Sequence, residues 1–485
     1  MKQPIVSIQQ LRLKFPGKDS MLFRDFSLSI YPGEKVLLLG PSGCGKSTLL
    51  QVCTGIVPNL IEIPLKYDEI IIPAVWGYLF QDPDTQFCMP YVDEELAFVL
   101  ENLQVPRKQM PIMIRDYLAK VGLHLDELHT EIHTLSQGMK QRLAIASILA
   151  LEPDVLFLDE PTSLLDPEGT RQVWETIKEV GKAKTVLIVE HKIDQIVDFV
   201  DRVIVLNDQG ELIADGLKAE VFMRHKKQLL DYGIWYPGVW HDYVESADFK
   251  QLKLLDIKQR NCFSESSKSL IELEAWSGRR GKQTKIEVLQ VTVAQAEWIT
   301  VVGENGAGKS TLLLALMQLI PTSGTYLLAG TPASEIDDLS CRLAFVFQNP
   351  ELQFVTNSVY DEVAYSLRLD QMGEQDVVIK VNQLLALFSL TKQQEQHPYQ
   401  LSLGQKRRLS VAAAIVKEQQ ILMLDEPTFG QDAKNTFVML EKLEMWRKQG
   451  TTIIMVTHDL DIVQHFATRV WTLKQGKLVS DQKGG

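Results

Sequence analysis

No apolar run in this chain reaches the roughly 18 residues needed to cross a bilayer, and LAIASILAL (143–151) is stopped at once by Glu152 and Pro153. The opening stretch, MKQPIVSIQQ, lacks a basic region followed by an apolar stretch, so no secretory signal is expected there. Cysteine is scarce: the five, at 44, 53, 88, 262 and 341, form no CxxC pair, which speaks against both a disulfide framework and a zinc site. Positive charge is in deficit, with Lys+Arg 50 against Asp+Glu 62 and a net charge of −12. A dedicated nucleic-acid binder would instead carry a basic face. These absences set the expectation of a reduced, cytosolic protein. Composition is otherwise that of a soluble globular chain, 45% hydrophobic and 23% charged. Its 485 residues suffice for two to four domains of roughly 100–200 residues.

The informative segments come in pairs. GPSGCGKST (Gly40, Pro41, Ser42, Gly43, Cys44, Gly45, Lys46, Ser47, Thr48) fits G-x-x-x-x-G-K-[ST]. GENGAGKST (Gly303, Glu304, Asn305, Gly306, Ala307, Gly308, Lys309, Ser310, Thr311) fits it again. Each follows a strand-like run, VLLL or WITVV, and precedes a helix-like one, as a phosphate-binding loop requires. Glycines let backbone N–H groups curl round phosphates, and the helix N-terminus adds partial positive charge. Lys46 and Lys309 would then reach the β- and γ-phosphates of ATP, with Ser47 and Ser310 on Mg²⁺.

The duplication runs much further. The two lysines lie 263 residues apart; Gln81 (LFQDPDTQF) and Gln348 (VFQNPELQF) lie 267 apart. Ser136 (LSQGM) and Ser402 (LSLGQ) are 266 apart, as are Glu160 and Glu426, while His191 and His458 are 267 apart. A period near 265 is a tandem copy of a whole domain, too long for a solenoid repeat. Strand-like runs alternate with helical patterns in each copy, giving an α/β expectation: two tandem P-loop domains, each with a mainly parallel sheet core. The expected boundaries are 1–230 for the first domain, 231–269 for an aromatic-rich connector and 270–485 for the second domain.

P-loop, glutamine after an apolar strand, LSxG, Asp-Glu-Pro-Thr and strand-His, in this order, resemble the ATP-binding cassette (ABC) ATPases. The resemblance covers nearly all the chain except the connector, and implies a helical subdomain in each copy. It implies roles as well. Asp159 and Asp425 would sit at the Mg²⁺ with Gln81 and Gln348, and Glu160 and Glu426 would be general bases for the attacking water. His191 and His458 would contact the γ-phosphate, and Phe15 and Trp276 would stack on adenine. In that family the signature of one domain closes over the nucleotide of the other. Ser136 and Gly138 would thus complete the Lys309 site; Ser402, Gly404 and Gln405 would complete the Lys46 site.

The usual LSGGQ has become LSQGM in the first copy and LSLGQ in the second. NLIEIPLKYDEI (59–70) also lacks the glycines of its counterpart PTSGTYLLAG (321–330), leaving the first copy's nucleotide-side sheet less defined. The stretches LFQDPDTQFCMPYVDEELAFVLENL and VFQNPELQFVTNSVYDEVAYSLRL look like those of energy-coupling-factor importer ATPases, which take up vitamins, vitamin precursors or metal ions. A fused pair is similar to ATPases linked to hydroxymethylpyrimidine (thiamine-precursor) uptake. That resemblance implies a peripheral protein at the cytoplasmic face of the cell membrane. Its partners would be an integral membrane coupling protein and a substrate-binding membrane protein, with no nucleic acid. The alternatives are a monosaccharide-importer tandem ATPase and a ribosome-associated tandem cassette ATPase. The latter should carry a long basic interdomain helix; residues 217–270 hold nine Lys/Arg against seven Asp/Glu.

Overall fold

A computed structural model describes residues 3–17, 20–41, 43–163, 165, 167–255 and 269–484. Ser42 lies outside them, as does the connector from 256 to 268. The chain divides into two compact units, Met1–Val239 with Asp432–Lys434, and Trp240–Gln431 with Asn435–Gly485. The stretch expected as a separate connector is therefore shared between the units. Its aromatics pack as expected: Tyr243 stacks on Phe437 at 3.9 Å, Trp240 meets the same ring edge-on, and Phe249 meets Phe466. Lys448 Nζ fixes the end of helix Ala247–Leu254 by donating to the carbonyls of Lys253 and Leu255.

Both units are α/β. In the first, a six-stranded sheet has the order Leu212–Leu217, Arg202–Leu206, Lys35–Leu39, Thr185–Val189, Val155–Asp159, Trp76–Leu79. All its pairs are parallel except the first. The central strands, KVLLL, VLFLD and TVLIV, are apolar almost throughout because they are covered on both faces, and every residue of theirs but Lys35 is buried. The second unit repeats this core with Trp298–Val302, Thr452–Val456, Ile421–Asp425 and Leu343–Val346 inside one ten-stranded sheet.

The copies differ where the first lacks glycine. The second has a full strand Thr322–Leu328, turning at Gly330 into Thr331–Pro332. The first has only Leu65–Lys66 and Glu69–Ile71, both paired to Val6–Leu13 in a separate four-stranded sheet. Each unit also carries the expected helical part: Val92–Asn102, Met110–Lys120 and Gln137–Leu149 in the first, Val359–Leu369, Glu374–Leu387 and Leu403–Ile415 in the second.

Candidate nucleotide site

In each unit the P-loop joins a buried central strand to a helix, Lys46–Thr54 or Lys309–Leu316. The residue before each lysine is left-handed, Gly45 at φ 102° and Gly308 at φ 101°. A side chain would not fit there: a Cβ on Gly45 would lie 2.9 Å from Leu22 and Phe23, and one on Gly308 2.6 Å from Ile286. Lys46 is buried and donates to the carbonyls of Gly40 (2.8 Å) and Pro41 (3.0 Å). Lys309 repeats this on Gly303 (2.7 Å) and Glu304 (3.0 Å). The ammonium is thus held over its own loop, where phosphate oxygens would take over its donors.

Around this loop the first unit gathers the expected residues. Ser47 Oγ donates to Asp159 Oδ1 at 2.9 Å, Gln81 donates to Glu160 Oε2 at 2.9 Å, and His191 Nε2 lies 3.0 Å from Glu160 Oε1. Burial tends to raise the Glu160 carboxyl, but the His191 contact and the charge of Lys46 outweigh it and hold it below its ordinary range. Glu160 is therefore ionised at neutral pH, as a water-polarising base must be. Asp159 goes the other way, raised by burial against the hydrogen bonds of Ser47 and Tyr78.

The second unit keeps the set with looser support. His458 Nε2 is 3.3 Å from Glu426 Oε1, and Glu426 is likewise lowered: burial opposes, but His458, Lys309 and Arg407 prevail. Ser310 bonds to Asp425, yet Asp425 Oδ1 is buried without a partner. Gln348 is exposed and, unlike Gln81, makes no hydrogen bond to its unit's glutamate. Glu160 and Glu426 both adopt positive φ, 47° and 50°, a strained conformation shared by two equivalent acidic residues.

Ser136 and Ser402 are N-caps of the helices Gln137–Leu149 and Leu403–Ile415, each accepting from the N–H three residues on. Gln405 closes a capping box, its Oε1 accepting the Ser402 N–H at 3.0 Å; Met139 cannot. Gly138 and Gly404 lie in the first turns of these helices.

Trp276 does not stand where the stacking expectation needs it. It is 1% exposed, sits in the second unit's core and meets Tyr326 edge-on, so neither face is free for a base. Phe15 is half-buried beside its unit's core. Register identifies its true counterpart. Phe23 and Ile286 each stand 17 residues before the first P-loop glycine. Leu13 pairs with Phe23 and Gly278 with Ile286, so two residues beyond each lie Phe15 and Arg280. Counting back along the chain missed this, because the hairpins differ in bulges and length.

Sequence reasoning also missed the groups behind the Asp-Glu pairs. Tyr78 OH donates to Asp159 Oδ2 at 2.9 Å; the strand register puts Phe345 at that place in the second unit. Gln141 donates to the Pro161 carbonyl, whereas its counterpart Arg407, lowered to about 10 by burial, donates to the Glu426 carbonyl. Glu190 precedes His191 where Thr457 precedes His458. At the starts of helices Val92–Asn102 and Val359–Leu369, Glu95 folds back to accept from Cys88 and Met89, and Glu362 from Val355 and Thr356.

The residues present fit a divalent cation held jointly with phosphates. Among the described residues no cluster of three or more His, Cys, Asp or Glu forms an all-protein cage. A serine hydroxyl and one aspartate per unit, with an orphaned Asp425 oxygen, match the sparse protein share of a Mg²⁺–nucleotide site.

Comparison with known sequences agrees with this geometry. The family model for ABC transporters matches residues 23–163 and 286–429. The chain belongs to the ABC transporter family. It is 37% identical to a Bacillus subtilis protein named putative HMP/thiamine import ATP-binding protein YkoD, over 98% of this chain and 91% of that one. It is 34% identical to a Methanosarcina mazei putative ABC transporter ATP-binding protein, over 98% and 88%. An archaeal ribosome recycling factor, aABCE1, solved with the stalk protein aP1, shares the fold with a TM-score of 0.64 at 18% identity, covering 98% of this chain and 90% of that one. This ABC protein is thus an ATPase with two ATP-binding domains, and among its described residues no helix is long and apolar enough to cross a membrane.

Proposed function

We propose that this ABC ATPase energises a membrane importer for a vitamin, vitamin precursor or metal ion, hydrolysing Mg²⁺–ATP at two composite sites. The observation that carries the ATPase chemistry is the doubled constellation of lysine, serine, aspartate, glutamate and histidine, hydrogen-bonded around each P-loop. Lys46 and Lys309 bind the β- and γ-phosphates. Ser47 with Asp159, and Ser310 with Asp425, would hold Mg²⁺, with Gln81 and Gln348 as further candidates, and the ion would supply charge neutralisation on the phosphates. Glu160 and Glu426 orient and polarise the attacking water, and His191 and His458 fix those carboxylates and meet the γ-phosphate. Ser136 and Gly138 serve the Lys309 site, and Ser402, Gly404 and Gln405 serve the Lys46 site. The presence of both signatures on one chain supports this pairing.

The importer reading draws on the full-length likeness to the HMP/thiamine relative. It is supported by exposed apolar residues next to the second Gln segment: Leu352, Val355, Tyr365 and Leu369. Tyr365 and Leu369 line a groove of about 400 Å³ with Thr356, Asn357, Asp361 and Arg368. Helices of a membrane coupling protein, itself joined to a substrate-binding membrane protein, would dock there, placing this subunit peripherally at the cytoplasmic face.

Two experiments test the reading. Glu160→Gln with Glu426→Gln should cut turnover by about 10²–10⁴ while ATP still binds, whereas Lys46→Ala with Lys309→Ala should abolish binding. Near-normal hydrolysis by the glutamine pair would refute the catalytic assignment. Copurification from detergent extract should recover a membrane protein; ribosomes without one would replace the importer reading with the translational one.

A further inference from the structure

Glu190 is a buried acid to which the chemistry above gives no role. It is 4% exposed. One carboxyl oxygen accepts from Thr162 Oγ1 at 2.8 Å, and the other accepts the backbone N–H of His191 at 2.9 Å. The ring of the same histidine meets Glu160. Two carboxyls therefore hold one histidine, the partly buried Glu160 through its ring and the buried Glu190 through its backbone. In the second unit Thr457 takes this place, its hydroxyl accepting from the N–H of Asp459.

A carboxylate here adds negative charge directly behind His191, the residue proposed above to meet the γ-phosphate. The charged groups facing it are Glu160, on the turn after strand Val155–Asp159, and His191, on the turn after Thr185–Val189. Burial, then the charge of Glu160, push the Glu190 carboxyl up to about 7, although Thr162 and the His191 backbone N–H pull the other way.

We propose that Glu190 is a positioning residue of the first ATP site that takes up a proton when nucleotide binds, and that the second site has no such group. This rests on the ATPase reading above. Protonated, Glu190 still bridges Thr162 and His191 but no longer repels the γ-phosphate or Glu160. The proton comes from solvent and returns there when nucleotide leaves.

The test is calorimetric titration with Mg²⁺–AMP-PNP at pH 8, in buffers of different ionisation enthalpy, on protein carrying Lys309→Ala so that only the first site fills. That protein should take up several tenths of a proton more than the same protein with Glu190→Gln or Glu190→Thr. The difference should vanish at pH 6, where the carboxyl is already protonated. Equal proton counts at pH 8 would overturn the proposal. A measurement without Glu190 variants guards against misfolding. Affinity of the Lys309→Ala protein should fall several-fold more between pH 6 and pH 8 than that of a Lys46→Ala protein, and equal falls would also overturn it. Failure of every form to bind AMP-PNP would instead strike the ATPase reading itself.

Discussion

Tyr78→Phe removes one oxygen atom from a buried core strand and tests how the first metal-side aspartate is held. Asp159 is satisfied at both oxygens, by Ser47 and by Tyr78, each at 2.9 Å. Without the phenol, Oδ2 becomes a buried carboxylate oxygen with no donor. A hydrogen bond to a charged group contributes about 1.5–3 kcal/mol, most of it felt as the cost of leaving the acceptor unpaired. For a unit of this size each kcal/mol moves the melting temperature by roughly 2–4 °C, so the nucleotide-free first unit should melt about 3–12 °C lower. The second unit already shows the variant's condition, with Phe345 in place of tyrosine and Asp425 Oδ1 orphaned. Phe345→Tyr should therefore stabilise that unit by a similar hydrogen bond. Because a bound cation would satisfy the orphaned oxygen, Mg²⁺–nucleotide should shrink the Tyr78→Phe deficit. Differential scanning calorimetry with and without Mg²⁺–AMP-PNP reads all of this. An unmoved first transition, or a deficit undiminished by Mg²⁺–nucleotide, would refute the reasoning.

Gln405→Met should break the capping box and lower the second unit's stability by about 0.5–1 kcal/mol in denaturant melts, and Met139→Gln should raise the first unit's by as much. Trp276→Phe should leave ATP affinity unchanged, whereas Arg280→Ala should weaken it at the second site, as titration of a Lys46→Ala protein would show. Glu190 is raised to about 7 from a carboxyl's ordinary 4.5, so the folded state binds the extra proton. Its cost to stability grows as pH rises between those values and is complete above the upper one, so Glu190→Gln should stabilise the ligand-free first unit at pH 8 by at most about 3 kcal/mol, with little gain at pH 5, in melts at the two pH values. On the proposed pairing of signatures with sites, Glu426→Gln should retain more hydrolysis than Glu160→Gln, because the site it silences would be the one completed by LSQGM; equal rates would show the signature difference to be silent.

The fold was legible because its period is local and strong. Strands such as VLFLD and ILMLD are apolar at every position before the aspartate, which only a strand covered on both faces requires. The duplication then checked each reading against a second copy. Legibility failed at the nucleotide-side sheet of the first unit, where Leu65–Lys66 and Glu69–Ile71 are too short to carry alternation. It failed again in the connector: the fold of residues 231–255 follows which unit their aromatics meet, and Phe437 and Phe466 lie 194 and 217 residues beyond Tyr243 and Phe249 in the chain.

The site divides along the same line. Residues whose chemistry depends on a neighbour in sequence, such as lysine after glycines or glutamate after a strand-ending aspartate, could be named from spacing. Residues whose chemistry depends on the adjacent strand could not. Tyr78 matters because Trp76–Leu79 lies beside Val155–Asp159, and Glu190 matters because Thr185–Val189 lies on the other side. Trp276 failed for the complementary reason: distance along the chain suggested a cleft, but strand alternation turns that position inward and leaves Arg280 at the hairpin end. The same register argument explains how two copies can share every motif residue and still differ as sites. The reacting groups sit at strand ends, while the hydroxyl, carboxyl and guanidinium that tune them come from neighbouring elements. Tyr78, Glu190 and Gln141 stand behind one Asp-Glu-Pro turn; Phe345, Thr457 and Arg407 stand behind the other.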